Sequence, residues 1–305
     1  MQVIEWSQFI ENGLPIGEKL SSLTIGVFDG VHRGHRSLIE KVVSHNVRKA
    51  NNRVVWKPPV SEQLPLKNAV LQGFSLKNRR TWRQPTGLSN KSNVPAIITF
   101  RQNHKGEKYA NNIQTFRQKT AMFERMGVKI TLVIDFTESF RRMAGIEFLE
   151  ILLKYGRVGF LAVGNDFRCG YRLDTNAQAI QKFFASRDIP VEIVPEVMED
   201  SLPISSSRVR SAIAGGQLSQ AQAMLGYPYT IDLAALQEIV LPPSGRYQVL
   251  LREKPEDAGT EAAVLIEGQT VRILEPFADI CWEFAEFVSD SPVESFHITK
   301  NKLQY

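Results

Sequence analysis

Apolar residues gather along this chain in short continuous runs. Residues 23–28 (LTIGVF), 95–100 (PAIITF), 129–135 (KITLVID), 158–163 (VGFLAV) and 191–194 (VEIV) read as five strands. Continuous runs of this length suit strands covered on both faces. Between them the spacing turns helical. Leu38, Ile39, Val42 and Val43 share one face of a helix after the first strand, and Ile113, Phe116, Met122, Phe123 and Met126 mark another over 113–126. Further helices are predicted over 146–155, 176–187, 206–214 and 218–225, the last two separated by Gly215-Gly216. Strand and helix in alternation predict an α/β fold built on a parallel sheet.

Beyond about residue 236 the pattern changes. Residues 246–251, 262–266 and 270–274 read as short antiparallel strands, with Val249, Leu251, Val264, Ile266, Val271 and Ile273 as core and Phe284 and Phe287 near the end. The expected organisation is therefore an α/β domain over 1–235 and a small β domain over 236–305. No internal repeat is present.

Composition narrows the class. The 305 residues are 43% hydrophobic and 23% charged, which excludes a wholly disordered chain, a collagen and a coiled-coil rod. No apolar run approaches a membrane span, and the N-terminus lacks the basic and apolar regions of a secretory signal. Cys169 and Cys281 form neither a disulfide framework nor a zinc-ligand spacing. A soluble cytoplasmic protein is expected. The net charge of +5 is local in origin: residues 48–92 hold ten basic side chains and one acid, +9, so the remainder sums to −4. With Pro58, Pro59, Pro65, Pro85, Gly73 and Gly87 and no periodicity, 48–92 is expected to be an irregular basic insertion on the surface. A basic patch confined to one segment does not make the whole protein a nucleic-acid binder. Trp56 and Trp82 among the basic residues keep an anionic partner open as the lesser alternative.

Three loops follow strand ends, where ligands of open parallel sheets bind. The first is 24–35 (TIGVFDGVHRGH), whose His32 and His35 lie three apart across a helix start, able to face one anion. Either histidine alone would more simply be a cap or a packing residue. The pair around a glycine, directly after a strand, favours chemistry instead. No third ligand is close in sequence, so a metal centre is not expected. The second loop is 163–172 (VGNDFRCGYR), also readable as an ordinary turn. The third is 204–216 (ISSSRVRSAIAGG), where three serines and two arginines open a helix; the alternative is plain N-capping with solvated arginines.

Together these loops resemble the nucleotidylyl transferases that carry His-x-Gly-His and Ile-Ser-Ser-Thr-x-x-Arg elements. More closely they resemble the bacterial FAD synthetases, usually bifunctional riboflavin kinase/FMN adenylyltransferases, with AQAMLGYPY (221–229) as a fourth match. The resemblance covers roughly 21–47 and 93–232. It implies a Rossmann-like nucleotidylyl transferase domain that adenylylates FMN with ATP and magnesium, giving FAD and pyrophosphate. It implies His32, His35 and Arg210 as catalytic residues. Gly26, Phe28, Asp29, Gly34, Gly164, Asp166, Ser205, Ser206, Ser207 and Arg208 would bind nucleotide, and Phe100, Arg168 and Arg172 would reach flavin. ATP and FMN are the expected partners, with no membrane and no nucleic acid.

The chain departs from the family pattern at three places. Ser207 replaces threonine, Tyr227 replaces a basic residue, and 99–104 read TFRQNH where the family has Thr-Phe-Glu-Pro-His-Pro. The kinase domain's Pro-Thr-Ala-Asn element is not found after residue 229, and the segment from 236 onward carries 12 acids against 6 bases. Riboflavin phosphorylation is therefore not expected, and the C-terminal strands read as a reduced β domain. The other readings are a flavin- or nucleotide-binding protein without turnover, and a transferase with a different phosphorylated acceptor.

Overall fold

Ser21 and Ser22 open a strand buried at every position, and both hydroxyls find partners. Ser21 Oγ donates to the Gly156 carbonyl at 2.6 Å and Ser22 Oγ to that of Val42 at 2.7 Å. Paired in this way, two polar side chains are tolerated in a dry interior. The structure, a computed structural model, describes residues 1–45, 93–101, 112–254, 257–274, 281–288 and 292. The stretch 48–92 read as a basic insertion, and positions 102–104, lie outside the described residues. The chain divides into two units. One comprises Met1–Val27, Ser37–Gln102 and Phe123–Glu196; the other comprises Phe28–Arg36, Asn103–Met122 and Val197–Tyr305. Each is sequence-discontinuous, a different kind of division from a single cut at 235.

In chain order the elements up to residue 194 are β1 (Gln2–Glu5), α1 (Trp6–Asn12), β2 (Ser21–Ile25), α2 (Arg33–Ser44), β3 (Val94–Phe100), α3 (Phe116–Arg125), β4 (Ile130–Ile134), α4 (Glu138–Arg141), α5 (Gly145–Gly156), β5 (Val158–Gly164), β6 (Arg168–Cys169), β7 (Thr175–Asn176), α6 (Ala177–Ala185) and β8 (Val191–Val194). The main sheet of the first unit is parallel throughout, in the order β1-β4-β3-β2-β5-β8. The five strands expected from the apolar runs are all present. The sixth, β1, pairs with β4 at the sheet edge and buries only Ile4, with Val3 exposed. An edge strand of four half-polar residues leaves no continuous apolar run. From β2 the chain lays down β3 and β4 on one side, then crosses to place β5 and β8 on the other, so the switch of direction falls between β2 and β5.

The main core cluster of this unit lies on one face of the sheet. Leu149, Leu152, Ile180 and Phe184 from the helices pack with Leu23, Ile25, Ile98, Leu132 and Leu161. Trp6 on α1 sits 5.4 Å from Phe9, 5.5 Å from Phe140 and 6.0 Å from Phe148, ring centre to ring centre. Phe100 joins the same network through Phe136 at 5.6 Å and Phe140 at 6.0 Å. Among the described residues no helix is long and apolar enough to cross a membrane.

The second unit adds β9 (Met198–Glu199), β10 (Leu202–Pro203), α7 (Ser206–Ala214), α8 (Leu218–Leu225), β11 (Thr230–Asp232), β12 (Gly245–Arg252), β13 (Thr260–Glu267), β14 (Thr270–Ile273) and β15 (Phe284–Phe287). The last five form an antiparallel sheet in the order β11-β15-β12-β13-β14. Val249, Leu251, Val264, Ile266 and Phe287 are buried with Val209, Ile213, Leu225 and Tyr229, while Val271 and Ile273 are half-buried against them.

A clip holds the loop after β5. The Gly145 N–H donates to Asp174 Oδ1 at 3.0 Å, Thr175 Oγ1 donates to the same oxygen at 2.8 Å, and the Tyr171 N–H donates to the Met143 carbonyl at 2.8 Å. Gly170 has φ +83°, and a Cβ there would stand 2.2 Å from both Gly145 N and Asp174 Oδ1. Gly170→Ala should therefore cost about 2 kcal/mol or more, combining left-handed strain with a backbone collision. Chemical denaturation measures this; an unchanged midpoint would show that the clip does not constrain the loop.

Candidate active site

The loop that leaves β2 is strained and wholly packed. Phe28 (φ +53°) and Val31 (φ +31°) are non-glycine residues with positive φ, and both are completely buried. A β-branched residue at positive φ is costly, and such strain persists only where surroundings over-determine it. Here the surroundings are polar as well as apolar. Asp29, 5% exposed, accepts from the Ile113 N–H at 2.8 Å and from Arg210 Nη2 at 2.5 Å. Its own carbonyl accepts from Ser206 Oγ at 2.8 Å, and the Gly30 carbonyl accepts from Tyr227 Oη at 2.5 Å.

The loop ends in the two histidines. Their rings stack at 3.6 Å with an interplanar angle of 19°, and the His35 ring meets Phe28 edge-on at 5.2 Å. His32 Nδ1 accepts from the His35 backbone N–H at 3.3 Å, which leaves the proton of the neutral ring on Nε2. A Cβ on Gly34 would lie 3.2 Å from His32 Nδ1, so the absence of a side chain there lets the ring fold back onto the helix start. His35 Nδ1 is out of reach of solvent and has no hydrogen-bond partner among the described residues.

Burial sets the protonation of this cluster. It pushes His32 down to about 4. It pushes His35 well below the usual imidazole range, with His32 and the Lys119 ammonium adding to the effect. Lys119 on α3, 6% exposed, is pushed down to about 8 by burial, partly opposed by the Asp29 carboxylate. At neutral pH the imidazoles are neutral and Lys119 is the cation among these three groups.

The remaining expected residues fall as follows. Ser205 Oγ caps α7 by accepting from the Arg208 N–H at 3.3 Å, and Ser207 is exposed on the first turn. Arg208 is spent on backbone, donating to the carbonyls of Leu202, Pro203 and Glu199 at 2.9, 2.7 and 3.3 Å. In the first unit, the Gly26 N–H donates to the Ile98 carbonyl at 3.0 Å, Gly164 ends β5, and Asp166 is exposed in the turn after it. Arg168 and Arg172 are exposed in the following loop, with Arg172 lying 5.1 Å over the Tyr171 ring. Two departures from the family pattern have structural uses. Tyr227 fastens the histidine loop, and Arg101 bridges Glu5 and Asp135 at 2.6 and 3.0 Å. Among the described residues no group of three His, Cys, Asp or Glu is placed to hold a metal ion.

Sequence reasoning missed Lys119 and the residues around it. The signal was present: Lys119 lies three after Phe116 and four before Phe123, on the apolar face of its own helix. A lysine on that stripe is either snorkelling or buried for a purpose.

A six-stranded parallel sheet with helices, its switch-point loop carrying a buried histidine pair, is that of a Rossmann-like α/β domain. The chain belongs to the FAD synthetase family, whose model matches residues 17–68 and 84–208. The match continues into both ends of the basic stretch and skips only 69–83. The bifunctional riboflavin kinase/FMN adenylyltransferase of Escherichia coli (strain K12) is 30% identical over 211 residues, 69% of this chain and 55% of that protein. The chain thus spans about half the length of this relative. The FAD synthetase of Listeria monocytogenes serovar 1/2a is 24% identical over 233 residues, covering 74% of this chain and 79% of that one. A solved structure described as a macrolide-efflux protein from Streptococcus pneumoniae superposes with a TM-score of 0.66 at 19% identity, over 96% of this chain and all of that one. That likeness concerns the fold alone.

The buried histidines make stability pH-dependent. His32 titrates lower folded than unfolded, so the unfolded chain binds more protons between about pH 6.5 and 4, and stability is lost as pH falls through that window. The shift corresponds to about 3 kcal/mol at most. His32→Gln should flatten the decline of the urea midpoint between pH 7 and 4.5. An equally steep decline would mean that His32 is not held neutral by the fold.

Proposed function

We propose that this protein is a cytoplasmic FMN adenylyltransferase that takes MgATP and FMN to FAD and pyrophosphate. The observation that carries the reading is the stacked His32–His35 pair on a strained loop leaving the carboxyl end of β2, with buried Lys119 in the same cluster. Family membership supports the substrates.

In this reaction an FMN phosphate oxygen attacks the α-phosphorus of ATP as the bond to the β-phosphate oxygen breaks. No covalent enzyme intermediate forms, so the protein's task is placement and stabilisation of charge on phosphoryl oxygens. Neutral His32 offers Nε2–H, His35 offers a second imidazole, and Lys119 offers an ammonium. The α2 N-terminus adds its dipole. Ser205, Ser206, Ser207 and Arg210 are assigned to the departing pyrophosphate, with Asp29 fixing the Arg210 guanidinium. Asp166 is assigned beside the nucleotide, and Phe100, Arg168 and Arg172 to the flavin, on the family pattern. Magnesium arrives with ATP, held by phosphate oxygens. The division into a transferase domain over 1–235 and a reduced β domain over 236–305 belongs to the same proposal, as does the lack of riboflavin kinase activity. Riboflavin, ATP and magnesium supplied without FMN should give neither FMN nor FAD, and steady FMN formation by a clean preparation would refute that part.

Purified protein given ATP, magnesium and FMN should release FAD, with other phosphorylated acceptors run in parallel to test the alternative substrate. His35→Ala should lower the rate by about two to three powers of ten while leaving the fold intact, as for loss of one donor to a developing anion. A folded, fully active variant would remove His35 from the mechanism. For Lys119 the pH profile is diagnostic. kcat/KM for ATP should fall above about pH 8 as the ammonium of the free enzyme deprotonates, and Lys119→Met should lower kcat/KM and abolish that limb. A wild-type profile flat to pH 9.5 would count against the role of Lys119.

A further inference from the structure

The segment 112–119 is bonded on both sides. Toward the histidine loop, the N–H groups of Ile113 and Gln114 donate to Asp29 Oδ1 at 2.8 and 3.4 Å, and Lys119 ends the segment. Toward the antiparallel sheet, Asn112 exchanges backbone hydrogen bonds with Glu238 and Val240, both at 2.8 Å. The strongest contacts converge on Asp232 of β11, which is wholly buried. Its carboxylate accepts from Thr115 Oγ1 at 2.8 Å, from Arg117 through both Nε and Nη2, and from the Ala234 N–H at 3.1 Å. Arg117 also pairs with Glu283 and lies 4.6 Å over the Phe284 ring, and Gln118 Nε2 donates to the Thr230 carbonyl at 2.9 Å.

A two-pronged Arg–carboxylate contact fixes direction as well as distance. With Thr115 on the same carboxylate, the first turn of α3 is set in rotation and height, and with it Lys119 and the two N–H groups that orient Asp29. Asp232 lies beyond the residues matched by the family model, in the part of the chain whose own chemistry is unassigned. We infer that Asp232 is a positioning residue for adenylyl transfer, and that the antiparallel sheet is retained because it holds the Ile113–Lys119 segment in the catalytic cluster.

This rests on the adenylyltransferase reading, and the experiment separates the two. Asp232→Asn, Arg117→Gln and the double variant are assayed for FAD formation at temperatures where circular dichroism shows each folded. Each single variant should lose about tenfold in kcat with KM for FMN within twofold of wild type. The double variant should be no slower than the slower single, because both changes release the same segment. A contact that only stabilises the fold would lower the melting temperature and leave kcat of the folded protein unchanged. That result, or losses that multiply in the double variant, overturns the inference. If Asp232→Asn does not fold, Arg117→Gln decides by the same criteria, since Arg117 is 42% exposed and has a second partner in Glu283. A wild-type protein that forms no FAD refutes the adenylyltransferase reading and this inference with it. Wild-type turnover with unaltered variants refutes the inference alone.

Discussion

The buried carboxylate of Asp29 is the constraint on which the rest of the candidate site depends. A carboxylate at 5% exposure is tolerable only when paired and hydrogen-bonded. Its needs are met from distant parts of the chain: backbone N–H groups at 113 and 114, and a guanidinium from α7. Each donor that satisfies the carboxylate is itself fixed by it. The positive φ angles at Phe28 and Val31 are held by this arrangement, and the histidines that follow inherit their position from it. One acidic side chain thus makes three sequence-remote segments into a single cluster.

Much of this was legible in the sequence, for reasons that differ by element. The inner strands β2, β3, β4 and β5 are dry on both faces and therefore show as unbroken apolar runs. The helices 206–214 and 218–225 match in extent because a serine cap and a glycine stop bracket them. β1 escaped notice because an edge strand needs few apolar residues. The histidine pair and the serine run were visible because their chemistry is concentrated in a few consecutive residues. Asp29 could be read as loop-shaping, but its partners could not. Nothing local in the sequence links residue 29 to 113 or 210; that pairing is set by tertiary packing. Lys119 was hidden differently: it sits on an apolar stripe, where a periodicity argument passes over a charged residue as an exception.

Neutral histidines and a weakened lysine look ill-suited to a highly charged ligand, but the electrostatics run the other way. A buried group that is neutral without ligand carries no desolvation penalty for a charge it does not hold. In the proposed reaction an arriving triphosphate would bring negative charge into the low-dielectric cluster and raise the proton affinity of every basic group there. On the two imidazoles, charge would then appear only with such a ligand present to compensate it. A permanently ionised cluster at the same burial would need internal counter-ions, which would compete with the ligand. Arg210 illustrates that cost: its guanidinium, only 12% exposed, is matched by Asp29.

The C-terminal sheet acquires a physical rationale on the same grounds. Its segment carries six more acids than bases from residue 236 onward, a poor field for binding a triphosphate directly. Acidic residues serve well, however, in holding cations that belong to other segments. Asp232 and Glu283 both engage Arg117, and Arg117 lies in the segment whose N–H groups close the Asp29 network. Two ion pairs therefore flank the segment: acid on the sheet with base on α3, and acid in the histidine loop with base on α7. The N–H groups of Ile113 and Gln114, which donate to Asp29, join the two pairs. An interruption at Asp232 would be felt along the bonded segment at Asp29. In the proposed reaction the sheet would thus serve a triphosphate site built from other residues through the segment it holds.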